Sequence, residues 1–469
     1  MRRATWVSRG GLVALLVSAA GLTASSAQAQ VVSLEDVLAS VERHHPKLLA
    51  AAAKVEVAEG DRLSAEGAFD VKLAGVGEVV PVGKAVYGTA ELKVEQPTTL
   101  GGARFYGGWA YGREDLPVYY GELLTPEGGK LKAGATVPLW RDFGTDGARA
   151  ELAVREVGVE LAEAEASLVR LGLSRDAVEA WAKWVSAGQK LGIAAEMLEL
   201  AVARDVGVAR QVETGALAPV ERIDNRRAIV ARRREVAEAE VDLATAAVKL
   251  GLYLRREDGA PMELAPERLP RELPVRSPSL PLARSLIEAV QRRPELRVLE
   301  RARAALAVER ELAENQLAPQ VDLGVGAEQG LGDKGAVLGA TELHATLTFS
   351  LPVQRRKARG KLMALDAKLD ALEREQQWWR ERIEAEVRQA HASHDGAMRR
   401  LEFGREEVEL AGQAASAERK LFEAGKSTLL KVNLREEYLA IARKKLVEAQ
   451  REALSAWLEV ELAAGGMVR

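Results

Sequence analysis

The sequence predicts a mainly α-helical, elongated chain in which one unit, a short helix, a β-hairpin and a long helical hairpin, is used twice. Three observations carry that expectation. The chain aligns with itself in two ordered blocks, it holds two long proline-free stretches with apolar residues spaced by threes, fours and sevens, and each such stretch is preceded by Gly- and Val-rich segments of strand character.

The repetition is the first of these. Ser33 to Leu48 matches Pro281 to Leu296 at an offset of 248, each copy carrying a proline near its end (Pro46, Pro294). Ala148 to Gly215 matches Ala358 to Gly425 at a constant offset of 210, so the intervening helices have equal length. A first repeat over residues 30–265 and a second over 281–469, joined by a linker at 266–280, follow from these blocks.

The helices come next. No proline interrupts Ala148–Val212, and Leu161, Leu168, Leu171, Val178, Trp181 and Val185 lie on one seam. Leu362, Leu365, Leu369, Leu372, Trp379 and Ile383 repeat it. Long helices are expected over about 148–213 and 358–423, with antiparallel partners over about 219–254 and 428–462. At 1.5 Å per residue each of the longer pair runs roughly 95 Å, three times a bilayer core, so it must stand in water beside partners. Tight turns are expected at Thr214-Gly215-Ala216-Leu217 and at Ala424-Gly425-Lys426-Ser427.

Strands are expected at Val71–Val80, Ala90–Glu95, Arg104–Tyr111 and Leu131–Leu139, and again at Val321–Ala327 and Glu342–Leu351. Alternation through Ala345–Leu351 suits a sheet with one apolar face. The segment between Asp70 and Leu139 is longer than two strands need. With a turn at Gln96–Gly102, it implies an additional hairpin or a large loop. If these strands lie in a membrane, four to six per chain cannot close a barrel, because single-chain barrels begin at eight, and oligomerisation follows.

Composition narrows the function classes. Arg2, Arg3 and Arg9 precede an apolar stretch from Gly10 to Leu22 and then Ala27-Gln28-Ala29, the pattern of a secretory signal peptide over residues 1–29. Its removal takes away three arginines and no acid and moves the net charge from −3 to −6. That balance argues against a nucleic-acid partner, and the runs Arg232-Arg233-Arg234 and Arg355-Arg356-Lys357 read as solvated faces. There is no cysteine, hence no disulfide and no lipidated N-terminal cysteine. Catalytic constellations fail to assemble. Gly425-Lys426-Ser427 lacks the earlier glycine of a phosphate-binding loop, and His391, His394 and Asp395 read as a helix face more readily than as a metal site. No enzyme, no cofactor and no metal are expected.

Taken in order, Leu34–Leu48 with His45-Pro46, its second copy ending in Arg293-Pro294, Ala318–Leu323 entering a strand, Val137-Pro138-Leu139, Leu351-Pro352-Val353 and the turns at Gly215 and Gly425 resemble the TolC family of outer-membrane efflux proteins. The resemblance spans nearly the whole chain after the signal peptide. It implies a homotrimer with a 12-stranded β-barrel in outer-membrane lipid and an α-helical periplasmic barrel. It also implies service as the exit duct of a tripartite efflux or type I secretion system, with a periplasmic adaptor and an inner-membrane pump. Relatives can carry aspartates six and nine positions past the turn glycine, where they constrict the tunnel mouth or tie neighbouring helices together. This chain has Glu221 and Asp224 in the first repeat but Lys431 and Leu434 in the second, so Glu221, Asp224 and Lys431 are the tunnel-entrance candidates. The two turns are the candidate adaptor contacts. A soluble periplasmic coiled-coil scaffold is the alternative reading.

Overall fold

A computed structural model describes residues 31–82, 87–114, 125–126, 128–332 and 341–466; the expected signal peptide lies outside the described residues. Helix α1 (Leu34–His44) starts at a capping box, in which the Ser33 hydroxyl accepts from the Asp36 amide at 3.1 Å and the Asp36 carboxylate accepts from the Ser33 amide at 3.0 Å. His45 ends α1 in an extended conformation, and Pro46 opens α2 (Pro46–Glu66) at a position where its missing N–H costs nothing. Helices α5 (Leu282–Arg292) and α6 (Pro294–Asn315) repeat this bend at Arg293-Pro294.

Between α2 and the long helix α3 (Gly147–Glu213) the chain forms four strands: β1 (Lys72–Val80), β2 (Tyr87–Pro97), β3 (Arg104–Glu114) and β4 (Lys130–Pro138). Strands β5 (Gln320–Gly330) and β6 (Thr341–Ser350) follow α6. All are within two to three residues of the expected segments or longer, and the described residues between Asp70 and Leu139 include an additional hairpin. The six make one antiparallel sheet in sequence order, β1-β2-β3-β4-β5-β6.

Helix α3 begins at Asp146, whose carboxylate accepts from the amides of Ala148 and Arg149 at 2.9 and 3.0 Å. It turns back into α4 (Pro219–Gly251). In the second repeat α7 (Arg356–Glu423) turns back into α8 (Leu429–Ala463). Contacts set the order of the helices. Beside the sheet it is α2, α3, α6, α7, and towards the far end it is α4, α3, α8, α7, so the wall is four helices wide at both levels. At 67 and 68 residues, α3 and α7 are each about 100 Å long.

The core sits at mid-height. Val32, Leu34, Val37 and Val41 pack on Val178, Trp181, Trp184 and Val185 of α3, on Leu250 of α4 and on Leu454 and Leu458 of α8. The Trp181 indole donates to the Val32 carbonyl at 3.0 Å. A smaller cluster, with Ile383, Val387, Ala289 and Val460, occupies the equivalent place in the second repeat. His391 and His394 belong to this packing rather than to a solvated face. His394 is buried with Nε2 3.3 Å from the Arg276 carbonyl, and His391 Nε2 is 3.0 Å from the Ser285 hydroxyl. Burial pushes the His391 pKa down, which favours the neutral ring.

Near mid-height Lys190 of α3 donates to Glu448 of α8 at 3.0 Å, and Arg451 also binds this carboxylate. The Arg451 hydrogen bond, followed by those from Lys190, holds Glu448 down at about 2. Because the folded value is depressed, the pairing stabilises the fold above the ordinary carboxylate range and fades as the pH falls towards that value. Glu448→Gln is therefore expected to lower the thermal midpoint at neutral pH, with the gap to wild type closing between about pH 5 and pH 2 in detergent-solubilised protein.

Candidate functional site at the hairpin ends and the sheet

Both hairpin ends are built alike. Gly215 has φ of 72° and Gly425 of 69°, the left-handed region in which a Cβ is costly. Ala216 N–H donates to the Gln211 carbonyl at 2.8 Å and Gly215 N–H to Val212 at 3.0 Å; Lys426 to Leu421 at 2.8 Å and Gly425 to Phe422 at 2.9 Å repeat the pattern. These bonds satisfy the terminal carbonyls of α3 and α7 and reverse the chain in a few residues. Gly425-Lys426-Ser427 is thus a helix terminus. Thr214, Gly215, Ala216, Ala424, Gly425 and Lys426 are exposed, while Leu217 and Ser427 are half-buried.

Glu221 and Asp224 lie in the first turns of α4 and are half-buried; Lys431 is exposed at the matching place in α8. Within one chain no ion pair joins Glu221 to Lys431 among the described residues, and Asp224 approaches Arg227 at 4.0 Å. The structure brings together a different group of charges, one to three turns further from the tips.

Glu436 of α8 is fully buried. Its carboxylate binds Arg204 of α3 and, at 3.2 Å, Arg232 of α4, with Arg419 of α7 at 3.9 Å. Arg204 also donates to Asn433 at 2.7 Å and Arg232 to the Met197 carbonyl at 2.6 Å. Beside them, the buried Asn225 amide donates to Asp205 at 2.9 Å. One carboxylate therefore joins all four helices of the lower wall. Of the run Arg232-Arg233-Arg234 only the last two are solvated; Arg232 faces inward because it follows Asn225 and Ile229 on the buried stripe of α4. In the other basic run Arg355 is half-buried and donates to the Leu317 carbonyl at 3.1 Å, leaving Arg356 and Lys357 exposed.

The sheet separates its side chains by face. Pairing places Leu73 opposite Val94, Leu92 opposite Trp109, Phe105 opposite Ala135, Val137 opposite Leu323 and Leu323 opposite Leu347, so one face is apolar through all six strands. Glu91, Lys93, Glu95, Arg104, Lys132 and Glu328 stand on the other face and line a hollow there. Lys93 pairs with Glu95 at 3.1 Å and Lys130 with Glu328 at 3.5 Å. The Tyr106 ring lies across Gly134 and Gly326, where a Cβ would come within 2.5 and 2.7 Å of its hydroxyl. Among the described residues no helix is long and apolar enough to cross a membrane, and no cluster of three metal-binding side chains occurs.

Removing Glu436 leaves three guanidinium groups around an empty buried position, two of them largely desolvated. Glu436→Ala is expected to cost about 3–5 kcal/mol locally. Amide exchange should rise across the hairpin ends and stay unchanged at the mid-height core, whereas Lys445→Ala, in an exposed pair with Glu407, should change exchange little.

Residues 286–466 match the family model described as outer membrane efflux protein. No curated protein matches the chain by sequence. The outer-membrane channel OprN is similar in structure, with a TM-score of 0.67 at 18% identity over 92% of this chain and 90% of that one. The outer membrane protein VceC of Vibrio cholerae gives 0.65 at 16% identity over 92% and 96%. The open-state MtrE channel of Neisseria gonorrhoeae gives 0.64 at 15% identity over 92% and 89%. At such identities the structural likeness speaks for the fold. The C-terminal part of the chain thus carries the sequence pattern of the outer membrane efflux protein family, and the fold is shared with outer-membrane channels over nearly all of the chain's length.

Proposed function

We propose that the protein is the outer-membrane exit duct of a tripartite efflux or type I secretion system, a trimeric channel without chemistry of its own. The observation that supports this most is the continuous apolar face of the sheet, carried on helices about 100 Å long. An apolar sheet face of this extent has no reason to exist in water, which disfavours a soluble coiled-coil scaffold. In lipid the sheet cannot end at an open edge, so copies must join, and the same joining gives the outer helices of each wall a neighbour.

In this reading residues 1–29 direct export, residues 30–265 and 281–469 form the two repeats, and 266–280 link them. Cargo passes from an inner-membrane pump and a periplasmic adaptor through the helical tunnel and out across the outer membrane. The family resemblance implies a 12-stranded barrel, a count that takes four strands from each of three copies.

The turns Thr214–Leu217 and Ala424–Ser427 are the surfaces an adaptor would grip, and Glu221, Asp224 and Lys431 would meet across copies at the tunnel entrance. Leu217→Asp combined with Lys426→Glu should leave the protein in the outer-membrane fraction but abolish its co-purification with a periplasmic partner after cross-linking in cells. Single-channel recordings of Glu221→Ala and Lys431→Ala in planar bilayers should show higher open probability than wild type; unchanged conductance and gating would remove the entrance role.

A further inference from the structure

Twelve strands do not account for this chain. Among the described residues its sheet has six strands, and the hairpin β1–β2 shares the length, pairing and facing of the other four. β1 and β2 have 9 and 11 residues, the length of a tilted membrane strand. They alternate in the same sense: Leu73, Val79, Leu92 and Val94 are exposed on the apolar face, and Glu78, Glu91, Lys93 and Glu95 stand on the polar face. β2 is paired with β3 along its whole length, from Tyr87–Glu114 to Pro97–Arg104.

The hairpin is also tied down at its base. The Gln96 side-chain amide donates to the Phe69 carbonyl at 2.7 Å, beside the end of α2. In the β2–β3 turn, Gly102 has φ of 70° and sits where a Cβ would meet the Asp142 carbonyl at 2.7 Å, so this turn is seated on the junction of β4 with α3. An appendage would need neither feature.

The free edges complete the case. An even number of strands sends β1 and β6 in opposite directions, so β6 of one copy meets β1 of the next antiparallel, with the apolar face continuing across the seam. Neither edge carries a proline or an inward charge on its apolar side, the devices that keep exposed edges from pairing. Width agrees as well. Four helices packed about 8–10 Å apart occupy roughly 32–40 Å of a wall. Six strands about 4.8 Å apart, tilted about 40°, occupy roughly 38 Å, whereas four occupy only about 25 Å.

We propose that the β1–β2 hairpin is part of the membrane wall and that three copies close an 18-stranded barrel, β6 of each copy pairing with β1 of the next. This rests on the trimeric duct reading for the number of copies. The polar faces of all six strands then line the pore, which is wider than a 12-stranded one and admits bulkier cargo.

The chain has no cysteine, so engineered pairs report the seam directly. Val76→Cys is combined in turn with Glu342→Cys, His344→Cys, Thr346→Cys, Thr348→Cys and Ser350→Cys, which share its polar face, and each full-length variant is oxidised in outer membranes. The expected result is covalent trimer on a denaturing gel for one or two neighbouring positions. Ala110→Cys with the same set reports the alternative seam of β6 with β3, and trimer there would overturn the inference while keeping the duct. Trimeric particles in detergent with no cross-link from either set would overturn it too. Monomers in detergent would instead overturn the duct reading itself.

Discussion

An antiparallel sheet that is apolar on one face and polar on the other, and open at both edges, is the constraint on which the rest of the structure depends. In lipid each unpaired N–H and C=O costs several kcal/mol, so the edges must meet other edges. In the proposed membrane setting a six-stranded sheet of this kind cannot complete itself, and one chain is then a fraction of a wall. The helices follow from the same demand. Helix α2 leads into β1, β4 into α3, α6 into β5 and β6 into α7, so in the proposed assembly a ring of strands imposes a ring of helices beneath it.

The helical part solves a different problem, that of standing about 100 Å tall without a globular core. Apolar packing is concentrated at mid-height, where α1, the linker region and three long helices converge around Trp181 and Trp184. Towards the hairpin ends it thins, and charge takes over. Glu436, gripped by Arg204 and Arg232, joins α3, α4 and α8 where few apolar contacts would do so, with Arg419 of α7 close by. Such a joint is directional and sensitive to geometry, unlike oil-like packing, and suits an end whose helices must hold a defined arrangement relative to one another.

Much of this was legible in the residues. Proline-free seams, turn glycines and Gly/Val alternation placed the helices and strands to within a few residues, and the blocks aligned at offsets of 248 and 210 each hold a bent helix pair or a long helical hairpin. The extra hairpin was half-legible: the length of Asp70–Leu139 demanded something, and only the pairing of β2 with β3 made it sheet. The buried charges were misread, since a run of three arginines says solvent while its period says otherwise. Arg232 continues Asn225 and Ile229, and Glu436 continues Leu429 and Val432, so a charge on an apolar stripe was the available signal. The pairing partners, more than 200 residues apart, were beyond any local pattern. His391 and His394 were misplaced for a similar reason, because the surfaces that cover them come from the linker and α5.

The most direct test of the account is electron microscopy of the full chain extracted by detergent from a purified outer-membrane fraction. Hollow three-fold particles, with a helical tunnel on the order of 100 Å long beneath a β-barrel, are what the account predicts. Recovery of the protein from the soluble periplasm, as monomers or solid rods, would contradict it.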